Sequence, residues 1–149
     1  MIRGSEIVPL QDRAPADSLE LSYEQRFCRR KILQTNGGKA FLLDLPKPTE
    51  LMSGYAIQLE DGALVAILEA SEPIMRAWPE RSQELARVAW HVGNRHTPCQ
   101  IFDDHLVLKP DKVLADMLEV LGCRIDYAVG TFQPERGAFG VGRTHSHEH

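Results

Sequence analysis

Histidine placement is the chain's strongest chemical signal. All six histidines lie after residue 90, at positions 91, 96, 105, 145, 147 and 149. Three of them, His145, His147 and His149, form an HxHxH ending. Neutral imidazoles suit Ni, Cu and Zn, and an i, i+2, i+4 array can wrap one ion with modest geometric selectivity. An affinity tag is the other reading of such an ending, but tags usually carry an unbroken histidine run.

His96 sits in the stretch Gly93-Asn94-Arg95-His96-Thr97-Pro98. Pro98 pushes Thr97 out of the helical region, so His96 is expected at or just past a helix end. Such a position is exposed, and a ring nitrogen there can be offered to a metal. On spacing alone, a capping histidine that interacts with the helix dipole is the commoner arrangement.

The remaining candidates are weaker. His96 and Cys99 make an HxxC pair, but a cysteine entering a strand more often serves as a small buried hydrophobe. His91 falls within the expected helix. His105 follows Asp103 and Asp104 in an expected hairpin, where an exposed, solvated ring is the default. Those three residues could make a minor metal site, but adjacent strand residues point to opposite faces. Arg26, Arg29, Arg30 and Lys31 form the one basic cluster, either a docking patch for an acidic protein surface or a solvated strand face. The P-loop, GxSxG, HExxH and glycine-rich dinucleotide turn are all absent from the sequence, so no enzyme signature is present.

The elements that must position these residues read in two textures. Residues 1–17 are expected to be irregular. Residues 18–70 alternate short apolar runs with turns at Asn36-Gly37-Gly38, Pro46, Pro48, Ser53-Gly54 and Asp61-Gly62, which suggests five or six strands. After Ser71-Glu72-Pro73 the pattern changes. Residues 74–78 read as a strand ended by Pro79. Leu85, Val88, Ala89 and Val92 mark one face of a helix from about Arg81 to Gly93 or a few residues beyond. Two short strands follow at 100–102 and 106–108. A second helix begins with Pro110 in its first turn and carries Val113, Leu114, Met117, Leu118 and Leu121. Gly122 sits where a left-handed cap is expected, and residues 123–132 alternate like a last strand. This β-α-β-β-α-β order is that of a ferredoxin-like domain. From Gln133 onward the chain is glycine-rich and poor in apolar residues, as in a mobile tail.

Composition bounds the function. The 149 residues are enough for one ordinary domain or two small ones. At 43% hydrophobic and 26% charged, the chain has the balance of a folded protein. The longest uncharged stretches, such as 51–59, run to nine residues, far short of the roughly 20 a membrane helix needs. The first residues carry no apolar leader, so a cytoplasmic location is expected. Three widely spaced cysteines without a CxxC fit a reducing compartment. A net charge of −4 gives no electrostatic support for nucleic-acid binding.

Together these stretches resemble the UreE family of urease accessory metallochaperones. The resemblance is carried by LARVAWHVGNRHTPCQI at 85–101, DKVLADMLEVLG at 111–122 and FQPERGAFG at 132–140. A looser match runs through the basic strand, through LDLPKPTELMSGYAIQLEDG at 43–62 and through the EASEP junction at 69–73. It implies an α+β protein: a small all-β, peptide-binding-like domain (1–71), a ferredoxin-like metal-binding domain (72–133) and a flexible histidine-bearing tail (134–149). It further implies a homodimer that delivers Ni²⁺ to apo-urease together with an accessory GTPase and other accessory proteins. The family's metal-binding histidine corresponds to His96, and its tail ligands to His145, His147 and His149. Cu²⁺ or Zn²⁺ is expected to bind in vitro as well. Some relatives carry extra histidines at the start of the second helix, where this chain has Lys109-Pro110-Asp111-Lys112. Two other functions compete: a general divalent-metal buffer, which three tail histidines poorly suit, and a ferredoxin-like regulatory module with incidental histidines.

Overall fold

A computed structural model describes residues 1–137. The chain divides into two compact units at Ala70/Ser71. No helix among the described residues is long and apolar enough to cross a membrane. The architecture is α+β.

The first unit is a six-stranded sheet. Its strands are β1 (Arg3–Pro9), β2 (Asp17–Leu21), β3 (Phe27–Gln34), β4 (Ala40–Glu50), β5 (Tyr55–Leu59) and β6 (Leu64–Glu69). They lie in the order β2-β6-β5-β1-β4-β3, with β1–β4 and β2–β6 parallel and the other neighbours antiparallel. Alternate residues from all six strands or their flanks meet in one core, among them Leu19, Leu33, Phe41, Leu43, Ile57, Val65 and Ile67. The Asn36-Gly37-Gly38 turn does join β3 to β4. Gly38 takes φ +93°, and Thr35 and Lys39 close the loop by a backbone hydrogen bond of 2.8 Å.

Three expectations fail here. The supposedly irregular start contains β1, an interior strand of the sheet. Gly4 lets it approach its neighbours, since a Cβ there would meet Ile57 Cγ2 at 2.6 Å. Pro46 and Pro48 do not interrupt the chain but lie inside β4. The β3–β4 register shifts between Cys28 and Arg30, and the prolines fall opposite that irregularity, where a missing N–H breaks no regular ladder. Arg26 does not belong to a surface cluster, because it is fully buried. Its Nη1 donates to the Leu21 carbonyl at 3.0 Å, and its own carbonyl accepts from the Leu51 N–H at 2.6 Å. Arg29, Arg30 and Lys31 remain exposed.

The second unit comprises β7 (Glu72–Trp78), a 3₁₀ turn (Ser82–Glu84), α1 (Leu85–Asn94), β8 (Gln100–Ile101), β9 (Leu106–Leu108), α2 (Lys112–Val120) and β10 (Arg124–Gly130). Its antiparallel sheet has the order β10-β7-β9-β8. The expected stripe on α1 buries Val88 and Val92, which pack with Met75, Ala77, Leu106, Leu108, Leu114 and Leu118. The helix itself starts later than expected, after the 3₁₀ turn, across which Arg81 Nη2 and Glu84 Oε1 pair at 2.6 Å. Pro110 also stands outside α2. Asp111 is the N-cap, its carboxylate accepting the Leu114 N–H at 3.0 Å.

Residues 133–135 are not free. Pro134 is buried, the Glu135 N–H donates to the Cys99 carbonyl at 2.8 Å, and the Gln133 N–H donates to Gln100 Oε1 at 3.1 Å. The expected tail therefore begins with a segment fastened alongside β8.

Candidate metal centre at the end of the first helix

α1 ends in a six-residue backbone motif. With Arg95 as C-cap, the His96 N–H donates to the Gly93 carbonyl at 2.9 Å and the Thr97 N–H to the Val92 carbonyl at 3.5 Å. This is the Schellman pattern, which requires a left-handed residue just past the cap and is usually filled by glycine. Here that residue is His96, at φ +57°. A side chain in this conformation is strained by about 1–2 kcal/mol. The ring is thus held on an exposed loop by a defined backbone rather than on a frayed end.

α2 supplies an internal control. Its end has the same two hydrogen bonds, Gly122 N–H to Glu119 and Cys123 N–H to Leu118, and Gly122 takes φ +92°. The same hydrogen-bond pattern is built there with glycine, which takes a positive φ without strain.

The neighbours of His96 define what this loop can do. Cys99 is half-buried, and burial followed by the nearby Glu135 carboxylate pushes its thiol up to about 11. It stays protonated near neutral pH, so as a ligand it must first give up a tightly held proton. Glu135 Oε2 accepts the Ile101 N–H at 3.3 Å, which fastens the segment following β10 beside the His96–Cys99 loop. Nothing in the residue pattern marks Glu135, whose role depends on a pairing with residues more than 30 positions earlier.

The other histidines divide clearly. His91 stands edge-on to Trp90, with ring centroids 5.1 Å apart. His105 is not the solvated residue expected. Its ring lies between Trp78, at 4.1 Å, and Phe102, at 4.6 Å, and its Nδ1 lies 2.7 Å from Asp104 Oδ1. That stack braces the β8–β9 hairpin against β7. Beside it, Asp126 Oδ1 accepts from Arg76 Nε at 2.7 Å and Oδ2 from Trp78 Nε1 at 2.8 Å. The Arg76 hydrogen bond is the main cause holding the Asp126 carboxyl below its ordinary value. His145, His147 and His149 lie outside the described residues. Among the described residues, no three His, Cys, Asp or Glu side chains gather closely enough to hold a metal ion. His96 is thus not part of a three-ligand group among the described residues.

The comparisons with known proteins agree with one another. Residues 5–70 match the N-terminal domain, and residues 72–149 the C-terminal domain, of the UreE urease accessory protein family. A urease accessory protein UreE from Rhodobacter capsulatus is 45% identical over 150 residues, covering 100% of this chain and 94% of that protein. The homologue from Ruegeria pomeroyi is 47% identical, covering 89% and 87%, and that from Paracoccus denitrificans 42%, covering 93% and 91%. With both domain families matched in order over nearly its whole length, the chain belongs to the UreE family of urease accessory proteins and is an accessory chaperone rather than an enzyme.

Proposed function

We infer that this protein is a nickel metallochaperone that carries Ni²⁺ to apo-urease while the urease metal centre is assembled. The observation that carries the reading is His96: an exposed imidazole at a backbone position that favours glycine. A left-handed histidine where glycine is usual is strained, and strain of this kind clusters at functional sites.

One imidazole cannot retain a divalent ion. In a homodimer formed by the second unit, a two-fold axis beside His96 brings two rings together, because isologous contacts place the same residue from both chains at the axis. Trp90, 63% exposed on α1 six residues before His96, supplies apolar surface for such an interface. His145, His147 and His149 are the further ligands we assign. A sparse nitrogen site leaves coordination positions open, so the recipient's ligands can enter before the donor's depart. By the Irving–Williams order Cu²⁺ binds such a site at least as well as Ni²⁺, and selectivity then rests on partners and metal supply.

The β-α-β-β-α-β order and the β10-β7-β9-β8 sheet support a ferredoxin-like reading of residues 72–133. We assign residues 1–71 to partner docking, with Arg29, Arg30 and Lys31 as the surface presented to urease or its accessory proteins, the accessory GTPase included. Residues 134–149 are assigned as the metal-binding tail, and the setting is cytoplasmic.

The test is urease activation at limiting nickel with a competing chelator present. The wild-type chain should raise activation and His96→Ala should not. Equal activation by both would refute the chaperone reading.

A further inference from the structure

β10 and β8 are the two outer strands of the second unit's sheet, in the order β10-β7-β9-β8. The chain leaves β10 at Gly130, on one edge, and five residues later it is fastened to the other. The Gln133 N–H donates to Gln100 Oε1 at 3.1 Å, the Glu135 N–H to the Cys99 carbonyl at 2.8 Å, and the Ile101 N–H to Glu135 Oε2 at 3.3 Å. Neighbouring strands lie about 4.8 Å apart, so the crossing spans about 14 Å or more. Five residues reach about 17 Å when fully extended, so residues 131–135 form a strap with little slack. Phe132 and Pro134 are its buried side chains, and it ends at the exposed Glu135 and Arg136.

The strap decides where the rest of the chain starts. Without it, residues 131 onward would leave from the β10 edge. With it, they leave from Glu135, which is bonded to Cys99, three residues after His96 and so within about 11 Å of it. His145 is then ten residues from its anchor rather than fifteen. Gly137, Gly140 and Gly142 fall in that interval, and a coil of such composition reaches about 17 Å over ten residues and about 21 Å over fifteen. The shorter tether starts beside the His96 loop; the longer one would start across the sheet.

We propose, on the footing of the metallochaperone reading above, that residues 131–135 are a positioning strap: Glu135 and Gln100 pin the chain beside β8 so that His145, His147 and His149 are presented to the His96 centre. The local concentration of a tethered ligand falls roughly as the −3/2 power of tether length, a factor of about 1.8 between ten and fifteen residues, and the displaced starting point roughly doubles it. Loss of the strap should therefore weaken Ni²⁺ binding about three- to fourfold. Glu135 acts through its hydrogen bonds and not as a ligand, so its negative charge is dispensable.

The experiment is a calorimetric Ni²⁺ titration against a competing chelator, in the full chain and in a chain lacking residues 144–149. Gln100→Ala combined with Glu135→Pro removes the three hydrogen bonds, because proline supplies neither the N–H nor the carboxylate. Inserting ten glycine and serine residues between Arg136 and Gly137 leaves the strap intact and doubles the tether. Each change should weaken binding about threefold in the full chain and leave the truncated chain unaffected. Glu135→Gln keeps both hydrogen bonds of residue 135 and should bind as wild type.

Wild-type affinity in either the strap variant or the insertion overturns the proposal. Equal losses in the full and truncated chains also overturn it, since a strap that only covers the β8 edge acts without the tail. So does a loss in Glu135→Gln, which would make the carboxylate itself a ligand. If truncation alone changes nothing, the tail's ligand role in the metallochaperone reading fails together with the strap. If truncation weakens binding and the strap variant does not, the strap fails alone.

Discussion

His96 and Gly122 occupy the same backbone position at the ends of the two helices of the second unit. Each donates its N–H to the carbonyl three residues earlier, at 2.9 and 3.0 Å, and each is left-handed, at φ +57° and +92°. One has a side chain to bear in that conformation and the other does not. Stability and metal binding should therefore pull in opposite directions at residue 96.

His96→Gly should abolish the tightest Ni²⁺ site yet exceed His96→Ala in stability by about 1 kcal/mol, because glycine alone enters this region without strain. Urea denaturation gives the stability and calorimetric titration the binding. A His96→Gly variant no more stable than His96→Ala would mean that the left-handed backbone is not under strain.

Gly122→Ala is the converse. It should cost about 1 kcal/mol by forcing a Cβ into the same conformation and leave nickel binding unchanged. Nothing lies within 4 Å of a Cβ built at Gly122, so backbone strain is the only cost in play. The same two measurements decide it.

The basic cluster should separate into two behaviours. Arg26→Ala removes a fully buried side chain and one of two donors to the Leu21 carbonyl, the Ala70 N–H remaining at 2.9 Å, so it should destabilise the first unit by roughly 2–3 kcal/mol, mainly through lost packing. Reversing the exposed Arg29 and Lys31 to glutamate should leave stability within about 0.5 kcal/mol. That double variant should still bind Ni²⁺ but lose urease activation at limiting nickel. Retained activation would remove this strand from the docking surface.

Asp126 should leave a pH signature. Its carboxyl is held below the ordinary 3.8, chiefly by the Arg76 hydrogen bond. The stability from its ionised form is therefore complete above about pH 4. It fades as pH falls through the lowered folded value. Asp126→Asn should lower the melting temperature at neutral pH and flatten the acid limb of the stability curve. Parallel acid limbs in wild type and variant would show that the pair contributes nothing.

Deleting residues 144–149 should lower metal stoichiometry or affinity without abolishing the His96 site. Identical titration curves for the truncated and full chains would exclude a ligand role for His145, His147 and His149.

Local pattern alone carried most of the second unit. The α1 stripe, the cap at Gly122, the turn at Gly38 and the end of the helix near His96 are legible because they depend on residues within a few positions of one another. The ring stack around His105, the burial of Arg26, the insertion of β1 and the survival of β4 through Pro46 and Pro48 are not. Each depends on a partner far along the chain: Trp78 for His105, Leu51 for Arg26, Ile57 for Gly4, and the displaced register of β3 for the prolines. Glu135 is the clearest case at the candidate site, since only the pairing of residues 133–135 with β8 brings its carboxylate beside Cys99. Residue type and the Thr97-Pro98 that follows placed His96 at a helix end, which on spacing alone suits a capping histidine better than a ligand, and its ligand role came from the family resemblance. Only the tertiary structure shows that no three ligand-type side chains gather among the described residues, because gathering ligands requires distant segments to converge, and periodicity carries no information about that.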